Sequence, residues 1–293
     1  MAVLISLRNV LVAEAYAAKC WVKLLCESKA GNTAMLKKAL ITLVIGAFLL
    51  PLEKVAASCE YSGALENVVI RSITDGDTLV LDDGRKVRLL GVNTPELGFG
   101  SQLSEPYALA AKSYVESLWV SEQRATIGIG QQGKDKYDRV LAHVFIGEVD
   151  VVQHLLAKGW GFSNVRPPDL ELAGCYADIA AKARQANLAV WANGVFYSDS
   201  RADLAAGFTV LTGTLVDVNV AGRSWWLRLD GDAVLLINKA SQEYFSKREL
   251  TAMLGKKITV QGWLAPRRGQ SKTGYANWIL SVYHPFAVLD VVE

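Results

Sequence analysis

Short runs of alternating apolar and polar residues recur between residues 66 and 146, separated by Gly, Asp and Asn. Period-two patterns of this kind, bounded by turn residues such as Asp82-Asp83-Gly84, are typical of strands. The pattern predicts five strands in this stretch, at residues 67–73, 78–81, 86–92, 125–129 and 140–146.

Apolar residues at helical spacing predict three helices in the same region. The first is expected to begin at Ser104, with Pro106 in its first turn, and a short second helix is expected at residues 151–158. Asp169 follows Pro167-Pro168 and is the expected N-cap of the third. The inner faces of the first and third helices are formed by Tyr107, Ala111, Tyr114 and Leu118, and by Leu172, Tyr176, Ile179 and Ala183.

A second β-rich region follows a predicted linker at residues 192–206. One helical stretch, at residues 242–254, comes before the fourth of its five predicted strands, an order typical of a small barrel of the OB type. We therefore expect residues 200–293 to form a small OB-like domain. Its strands are predicted at residues 209–218, 224–229, 233–237, 257–264 and 275–281.

The N-terminal region has the pattern of a secretory leader. An uncharged run at residues 39–52 follows Lys37-Lys38 and precedes a stretch of small residues, so we predict a signal peptide at about residues 35–58, with translation starting at Met35. The expected location is secreted or periplasmic. The alternatives are an uncleaved leader that anchors the protein in the membrane, and a buried core helix.

Composition and charge exclude several classes of protein for this chain. With 293 residues, of which 51% are hydrophobic, the chain is neither mainly disordered nor collagen-like. The net charge of +2 becomes −2 without residues 1–58, divided into −5 on residues 59–199 and +3 on residues 200–293. Any binding of nucleic acid must therefore come from local clusters of basic residues.

The four cysteines are spaced in a way that excludes a zinc cluster, because no C-x-x-C or H-x-x-x-H sequence is present. Removal of the leader also removes Cys20 and Cys26. Cys59 and Cys175 then remain as one pair in an oxidising compartment, where we expect a disulfide. Two buried thiols are the alternative. The three histidines, at positions 143, 154 and 284, are interpreted as structural.

Three polar segments carry the candidate chemistry. They are the turn Asp75-Gly76-Asp77-Thr78, the stretch at residues 88–96 that runs from Arg88 to Glu96, and the loop and strand start at residues 134–142. Each is weak evidence alone, since Asp-Gly pairs are common turns. Their order, with a helix between the second and third, is far more specific.

Together these segments resemble the staphylococcal nuclease (thermonuclease) family over about residues 68–191. The resemblance implies a five-stranded OB barrel with helices packed on it, which hydrolyses phosphodiester bonds of DNA and RNA with calcium. The expected fold class is thus α+β: a nuclease-like β-barrel with helices at residues 59–199, then the second β-rich domain. A non-catalytic nucleic-acid-binding module of the same fold is the alternative, and an unrelated exported barrel is a further one.

The resemblance also assigns roles to residues of this sequence. Asp77 and Asn93 match calcium ligands, and Thr94 matches a ligand that acts through its backbone carbonyl. Glu96 matches the proposed general base. The remaining matches are the phosphate-binding arginines Arg88 and Arg139, and the loop lining the substrate site, Asp135, Lys136 and Tyr137.

Elementary chemistry supports these roles. An arginine guanidinium can donate two parallel hydrogen bonds to a phosphate and stays charged at any physiological pH. Carboxylate, amide and carbonyl oxygens are the ligands that calcium prefers. Arg88 and Asn93 are five positions apart, so a regular strand would place them on opposite faces. We expect a bulge at Gly91 to bring them together.

The sequence departs from the family pattern at three places. Asn93 replaces an Asp, which removes a negative charge from the metal site. Asp138 stands where Gly is usual and is expected to pair partly with Arg139. Residues 160–166 lack two tyrosines that the staphylococcal enzyme offers to the nucleotide, which leaves Trp160 and Phe162 as candidate replacements.

The C-terminal region has a candidate nucleic-acid surface of its own. A basic loop with nearby aromatic residues is what a single-stranded nucleic-acid groove requires. A structural or partner-docking role is the alternative. The residues concerned are Arg267, Arg268, Lys272 and Tyr275.

Overall fold

The computed structural model describes residues 59–119, 124–220, 222–267 and 276–292. The predicted leader lies outside the described residues, as do Arg268, Lys272 and Tyr275 of the C-terminal loop. None of the described helices combines the length and the apolar character that crossing a membrane requires.

The first region forms a closed five-stranded barrel. Its strands pair in the order β3-β2-β1-β5-β6, and β6 closes the barrel by parallel pairing with β3. This is the strand order of the OB fold, with a helix before the fourth barrel strand, so the predicted fold class is confirmed. The elements are β1 (Glu66–Asp75), β2 (Thr78–Leu81), β3 (Lys86–Leu89), β4 (Gly91–Asn93), α1 (Ala108–Leu118), β5 (Arg124–Lys134), β6 (Val140–Ile146), β7 (Val149–Asp150), α2 (Val151–Ala157), β8 (Phe162–Asn164) and α3 (Ala173–Gln185).

The barrel core is built from the inward positions of its strands and from one face of α2. Leu79, Val87, Ile127, Val144 and Leu155 are all fully buried. Each such side chain contributes roughly 1.5–3 kcal/mol through removal of its surface from water. The core therefore holds in place the ends of β1, β3 and β6, next to which the polar residues of the three candidate segments lie.

The predicted strand at residues 86–92 is two strands rather than one. β3 ends at Leu89, and β4 begins at Gly91, whose φ of +88° is strained for any residue with a side chain. A Cβ on Gly91 would also lie 2.4 Å from Cδ2 of Tyr176. The chain turns at this glycine, and β4 leaves the barrel to pair with β8, a strand that the sequence pattern did not predict.

Two helix starts were predicted too early. α1 begins at Ala108 instead of Ser104, because Tyr107 takes a left-handed conformation (φ +69°) that ends the preceding loop. α3 begins at Ala173, and Asp169 is not its N-cap. The backbone N–H of Asp169 closes a turn on the carbonyl of Arg166, and its Oδ1 accepts from the N–H of Gln132 at 3.4 Å.

The second region is a barrel with the same topology. Its strands pair in the order β13-β14-β12-β11-β10, β10 closes on β13, and β12 and β14 are parallel. The predicted OB-type barrel is therefore present. Its elements are β9 (Tyr197–Asp199), β10 (Gly207–Asn219), β11 (Ser224–Leu229), β12 (Ala233–Asn238), a 3₁₀ turn (Lys239–Tyr244), α4 (Lys247–Ala252), β13 (Lys257–Pro266), β14 (Trp278–Ser281) and β15 (Val288–Val292).

Two local predictions for this region were wrong, and one strand was missed. The predicted linker contains β9, which pairs in parallel with β10. The predicted helix at residues 242–254 is interrupted at Phe245, and α4 begins after Ser246, whose Oγ accepts from the N–H of Glu249 at 3.3 Å. β15 was not predicted, and it pairs with β13 beyond the barrel.

Polar and aromatic contacts join the two barrels. Gln261 on β13 donates from Nε2 to the carbonyl of Ser163 on β8 at 2.7 Å. The ring centroids of Phe162 and Phe208 are 4.8 Å apart. Farther along, Arg184 at the end of α3 forms a bidentate pair with Asp290 on β15, at 2.7 and 2.9 Å. These contacts hold the second barrel beside β8.

The predicted disulfide is present between Cys59 and Cys175. It ties the segment before β1 to α3, across a sequence separation of 116 residues. The backbone N–H of Cys59 also donates to Oε1 of Gln153 on α2 at 3.2 Å. The start of the described chain is thus fastened to both helices that cover the barrel.

Candidate active site

The turn between β1 and β2 places a buried carboxylate beneath the end of β3. Asp77 is 1% exposed, and its Oδ1 forms an ion pair with Nη1 of Arg88. Nη2 of Arg88 donates to Oδ1 of Asn93 at 3.0 Å, and the N–H of Thr94 donates to Oδ2 of Asp77 at 2.9 Å. The four residues therefore form one network, and the turn at Gly91 brings Asn93 back to Arg88, as the expected bulge at this glycine required.

A close backbone approach explains the glycine in this turn. A Cβ on Gly76 would lie 2.7 Å from Oγ1 of Thr94 and 2.8 Å from Cβ of Ala111 on α1. Only glycine lets the carboxylate turn sit this close to β4 and α1. The Thr94 hydroxyl is buried there and has no hydrogen-bond partner among the described residues.

The charges around Arg88 are strongly coupled. Burial lowers the pKa of Arg88 to about 10, and the positive charge of Arg139 acts in the same direction. Burial also raises the pKa of Asp75, against the opposing effect of Arg88. The guanidinium remains charged at neutral pH, so it offers a fixed cation at the base of the site.

Arg139, at the start of β6, is held by the preceding turn. Its Nε donates to Oδ2 of Asp135 at 2.8 Å, its Nη2 forms an ion pair with the same oxygen at 2.7 Å, and its backbone N–H donates to Oδ1 at 3.0 Å. Burial alone would raise the pKa of Asp135, but the hydrogen bonds from Arg139 and from the N–H of Tyr137 outweigh it and lower that pKa. Asp135 thus orients the guanidinium of Arg139.

The expected pairing of Asp138 with Arg139 is wrong. Asp138 pairs with Nζ of Lys134 at 2.7 Å, because Arg139 is already bound to Asp135. Asp138 has a φ of +64°, a left-handed conformation that glycine adopts without strain. The turn presents the side chain of Tyr137 to solvent (67% exposed), with Nζ of Lys136 4.9 Å from its ring centroid.

Glu96 lies in the loop after β4, where its side chain is exposed to the cleft. Two hydrogen bonds with Glu105 hold its backbone. Its N–H donates to Oε2 of Glu105 at 2.8 Å, and its carbonyl accepts from the N–H of Glu105 at 2.9 Å. Partial burial raises the pKa of Glu96, and the negative charges of Asp75 and Glu105 raise it further, against Arg88 and Arg139. The role of Glu105 was not visible in the sequence.

Replacing Glu105 by Gln should lower the pKa of Glu96. Gln keeps an oxygen that can accept from the N–H of Glu96 but removes a negative charge that raises the pKa of Glu96. The measurement is a pH titration of the Glu96 carboxyl group followed by NMR, with Glu116→Gln on α1 as the control. A pKa of Glu96 that stays in place or rises would contradict this.

These side chains line one cleft of about 730 Å³. Arg88, Glu96 and Arg139 contribute to its wall, above the buried Asp77. From the sequence we expected these three residues to meet in one pocket, but the part of the cleft wall that comes from the second barrel was not predicted. The further lining residues include Asp135, Lys136, Tyr137, Asn164, Arg166, Asp169, Trp263 and Tyr283.

The two aromatic residues expected to replace the missing tyrosines pack away from the cleft. Phe162 is 1% exposed and packs between the barrels, so it is not a replacement for a nucleotide-binding tyrosine. Trp160 packs on Tyr107, with ring centroids 6.1 Å apart.

Of the predicted C-terminal nucleic-acid surface, the structure describes Arg267. Its guanidinium lies 5.5 Å from the ring centroid of Trp226 on the second barrel.

The donors at the candidate metal site are few but chemically suitable. Among residues 59–119, 124–220, 222–267 and 276–292, no group of three or more His, Cys, Asp or Glu side chains is placed to hold a metal ion. Asp77 and Asn93 nevertheless share one cation, the guanidinium of Arg88. Their oxygens are hard donors of the kind calcium binds, so the residues fit a weak, carboxylate-poor calcium site.

Comparison with known proteins agrees with this geometry. Residues 86–193 match the family described as staphylococcal nuclease homologue. The thermonuclease of Staphylococcus intermedius is 30% identical over 129 residues, which cover 43% of this chain and 76% of that protein. The thermonuclease of Staphylococcus hyicus is 28% identical over 128 residues, covering 43% and 75%. The family match contains Arg88, Glu96 and Arg139 and ends before the second barrel.

Proposed function

This chain belongs to the staphylococcal nuclease family, and we propose on that basis that it is an exported nuclease that hydrolyses DNA and RNA with the assistance of calcium. Nuclease activity in general follows from the family. The substrates, the metal and the residue roles are our proposal. The observation that carries it is the meeting of Arg88, Glu96 and Arg139 in one cleft above the buried Asp77 network.

The two arginines bind and neutralise the phosphodiester. Negative charge grows on the phosphoryl oxygens as water attacks, and donors already fixed in place stabilise it without reorganising. Asp135 fixes Arg139 through a hydrogen bond from Nε and an ion pair with Nη2, and Asp77 and Asn93 fix Arg88. Both forks are therefore oriented before substrate arrives.

Glu96 accepts the proton of the attacking water at its carboxylate. Its raised pKa makes it a better base near neutral pH than an ordinary surface glutamate. The two hydrogen bonds with Glu105, one to its side chain and one from its backbone N–H, keep the loop that carries Glu96 at the mouth of the cleft. Glu105 thus positions the carboxylate, whose pKa is raised mainly by burial and by the negative charge of Asp75.

Asp77, Asn93 and Thr94 are the residues that would hold calcium. When bound, the ion supplies additional neutralisation of the phosphate and orients water. Asp77 is the only carboxylate of these three residues, so the site has little negative charge. Arg88 also contacts Oδ1 of Asp77 and Oδ1 of Asn93, the side-chain oxygens that would bind the ion. We therefore expect a high calcium requirement.

Replacing Asn93 by Asp should lower the calcium concentration for half-maximal activity by about tenfold, because affinity follows the number of charged ligands. A second carboxylate also strengthens the contact with Arg88, but a divalent ion gains more from it than a monovalent guanidinium does. The measurement is a calcium titration of activity. Asn164→Asp, which adds the same charge elsewhere in the cleft, is the control. An equal shift in both variants would mean that Asn93 is not a ligand.

One assay separates the nuclease from a non-catalytic binding module. Purified protein is incubated with plasmid DNA and with RNA, in calcium and in chelator. The nuclease produces fragments of both nucleic acids in calcium only. A binding module shifts the mobility of the nucleic acid in a gel and leaves it intact in both conditions, which would overturn the proposal.

The predicted leader and the Cys59–Cys175 disulfide support an exported location, because disulfides persist in oxidising compartments. We expect the exported form to begin after Ala57 or Ser58. The N-terminal peptide mass of protein recovered outside the cytoplasm tests this, and a mass that retains residues 35–57 would favour the anchored alternative.

A further inference from the structure

We propose that the second barrel completes the active-site cleft and that Trp263 and Tyr283 stack a nucleobase of a single-stranded substrate beside the scissile linkage. The inference rests on the proposed nuclease function. It assigns a binding role to a domain that lies beyond the family match.

The first argument is the position of the two rings. Trp263 on β13 and Tyr283 after β14 line the same cleft as Arg88, Glu96 and Arg139. Trp263 is 39% exposed, although an indole of this size gains much by burial. An exposed indole on the wall of this cleft provides a flat apolar surface near the guanidinium groups of Arg88 and Arg139.

The second argument is the arginine beside Tyr283. The guanidinium carbon of Arg166 lies 4.5 Å from the centroid of the Tyr283 ring. Arg166 is itself held by a backbone bridge to Asp169, in the turn before α3. Stacked guanidinium and aromatic planes bind the faces of bases, and the positive charge attracts the neighbouring phosphate.

The third argument is that this wall is fixed before substrate binds. Gln261 is 4% exposed and donates to both the carbonyl and the hydroxyl of Ser163, at 2.7 and 3.2 Å. It is two residues from Trp263 on the same strand. Phe208 packs edge-on against Trp263, with ring centroids 6.2 Å apart. The position of the Trp263 ring is therefore set during folding, which favours binding.

These features define the chemical class of the ligand. A duplex hides the faces of its bases, whereas a single strand exposes them for stacking on aromatic side chains. Stacking tolerates any base, since each has a π-face. The cleft therefore suits single-stranded DNA or RNA, with the phosphate at Arg88 and Arg139 and a flanking base at Trp263 and Tyr283.

The test measures binding without cleavage. The affinity of the full chain carrying Glu96→Gln is measured by fluorescence anisotropy in calcium, with fluorescein-labelled (dT)12 and (rU)12. Adding Trp263→Ala should weaken binding about tenfold, because stacking contributes about 1–3 kcal/mol per base. Trp263→Phe should restore most of the affinity, and Tyr283→Ala should weaken binding independently.

A strand of twelve abasic sugars isolates the base contact. Removal of the bases should weaken binding to the parent protein more than tenfold, should have a smaller effect once Trp263 is Ala, and should have little effect once Trp263 and Tyr283 are both Ala. Phe286→Ala is the matched control, since Phe286 belongs to the same barrel, is also 39% exposed and lines a different pocket. Its affinity for (dT)12 should match that of the parent protein.

Unchanged affinity for (dT)12 and (rU)12 in folded Trp263→Ala and Tyr283→Ala variants would overturn the inference, and so would an equal loss on the abasic strand. Thermal melting identifies variants that do not fold, and Trp263→Phe keeps the test informative if Trp263→Ala is one of them. Failure of the nuclease proposal is seen separately, as intact nucleic acid in the wild-type cleavage assay. A change in affinity for only one of the two strands would restrict the ligand to DNA or to RNA.

Discussion

Replacing Arg139 with alanine should lower the turnover number by about two orders of magnitude or more, as expected for the loss of one preorganised donor to a developing charge. The guanidinium lines the cleft with Glu96 and Arg88 and is oriented by Asp135. The measurement is the single-turnover rate on labelled (dT)12 in saturating calcium. Arg139→Lys should remain well below the wild type, because an ammonium keeps the charge but lacks the fork.

The control for this result removes a charge elsewhere in the first barrel. Arg124→Ala, on an exposed residue at the start of β5, should cleave at a rate close to that of the wild type. If Arg139→Ala cleaved within threefold of the wild type, Arg139 would have no part in the mechanism, and the phosphate would have to be held by Arg88 and its neighbours.

Removal of the Cys59–Cys175 disulfide should lower the free energy of unfolding by about 4–5 kcal/mol in the chain-entropy model, given the sequence separation of 116 between the cysteines. Without the bridge, the unfolded chain gains conformational freedom that the folded state cannot match. The measurement is urea denaturation of the double variant with Ser at both positions. A shift of the midpoint to lower urea with an unchanged slope is expected.

The single variants and the reduced wild type provide the control. Each single Cys→Ser variant, and the wild-type protein held in reductant, should unfold at the same urea concentration as the double variant. A midpoint equal to that of the oxidised wild type would show that the bridge contributes no stability. The helices α2 and α3 would then hold the N-terminal segment by packing alone.

The local part of the candidate site could be predicted from the sequence. The turn at Asp77 and the stretch that ends at Glu96 are short motifs whose geometry depends on a few neighbouring residues. Arg88 and Asn93 are five positions apart, so a regular strand could not bring both side chains to one face. This spacing indicated the turn at Gly91. The same holds for the strand pattern of the first barrel.

The remaining features depend on contacts between distant residues, which no local pattern records. Glu105 orients Glu96 across a loop. Asp135 binds Arg139, with which Asp138 was expected to pair. The rings of Trp263 and Tyr283 reach the cleft only because two barrels pack together, through contacts such as Gln261 with Ser163, 98 residues apart. Apart from aromatic residues on a predicted strand, no local pattern indicates this composite wall.

The central claim is that the Arg88, Glu96, Arg139 and Asp77 cluster hydrolyses a phosphodiester bond. The most direct measurement is the single-turnover cleavage rate of labelled (dT)12 in calcium by the wild-type chain and by Glu96→Gln, with binding measured on the same samples. We expect the wild type to cleave the strand, and the variant to bind it with similar affinity but cleave it at least about a hundredfold more slowly. Equal cleavage rates, or a strand that the wild type binds and leaves intact, would contradict the account.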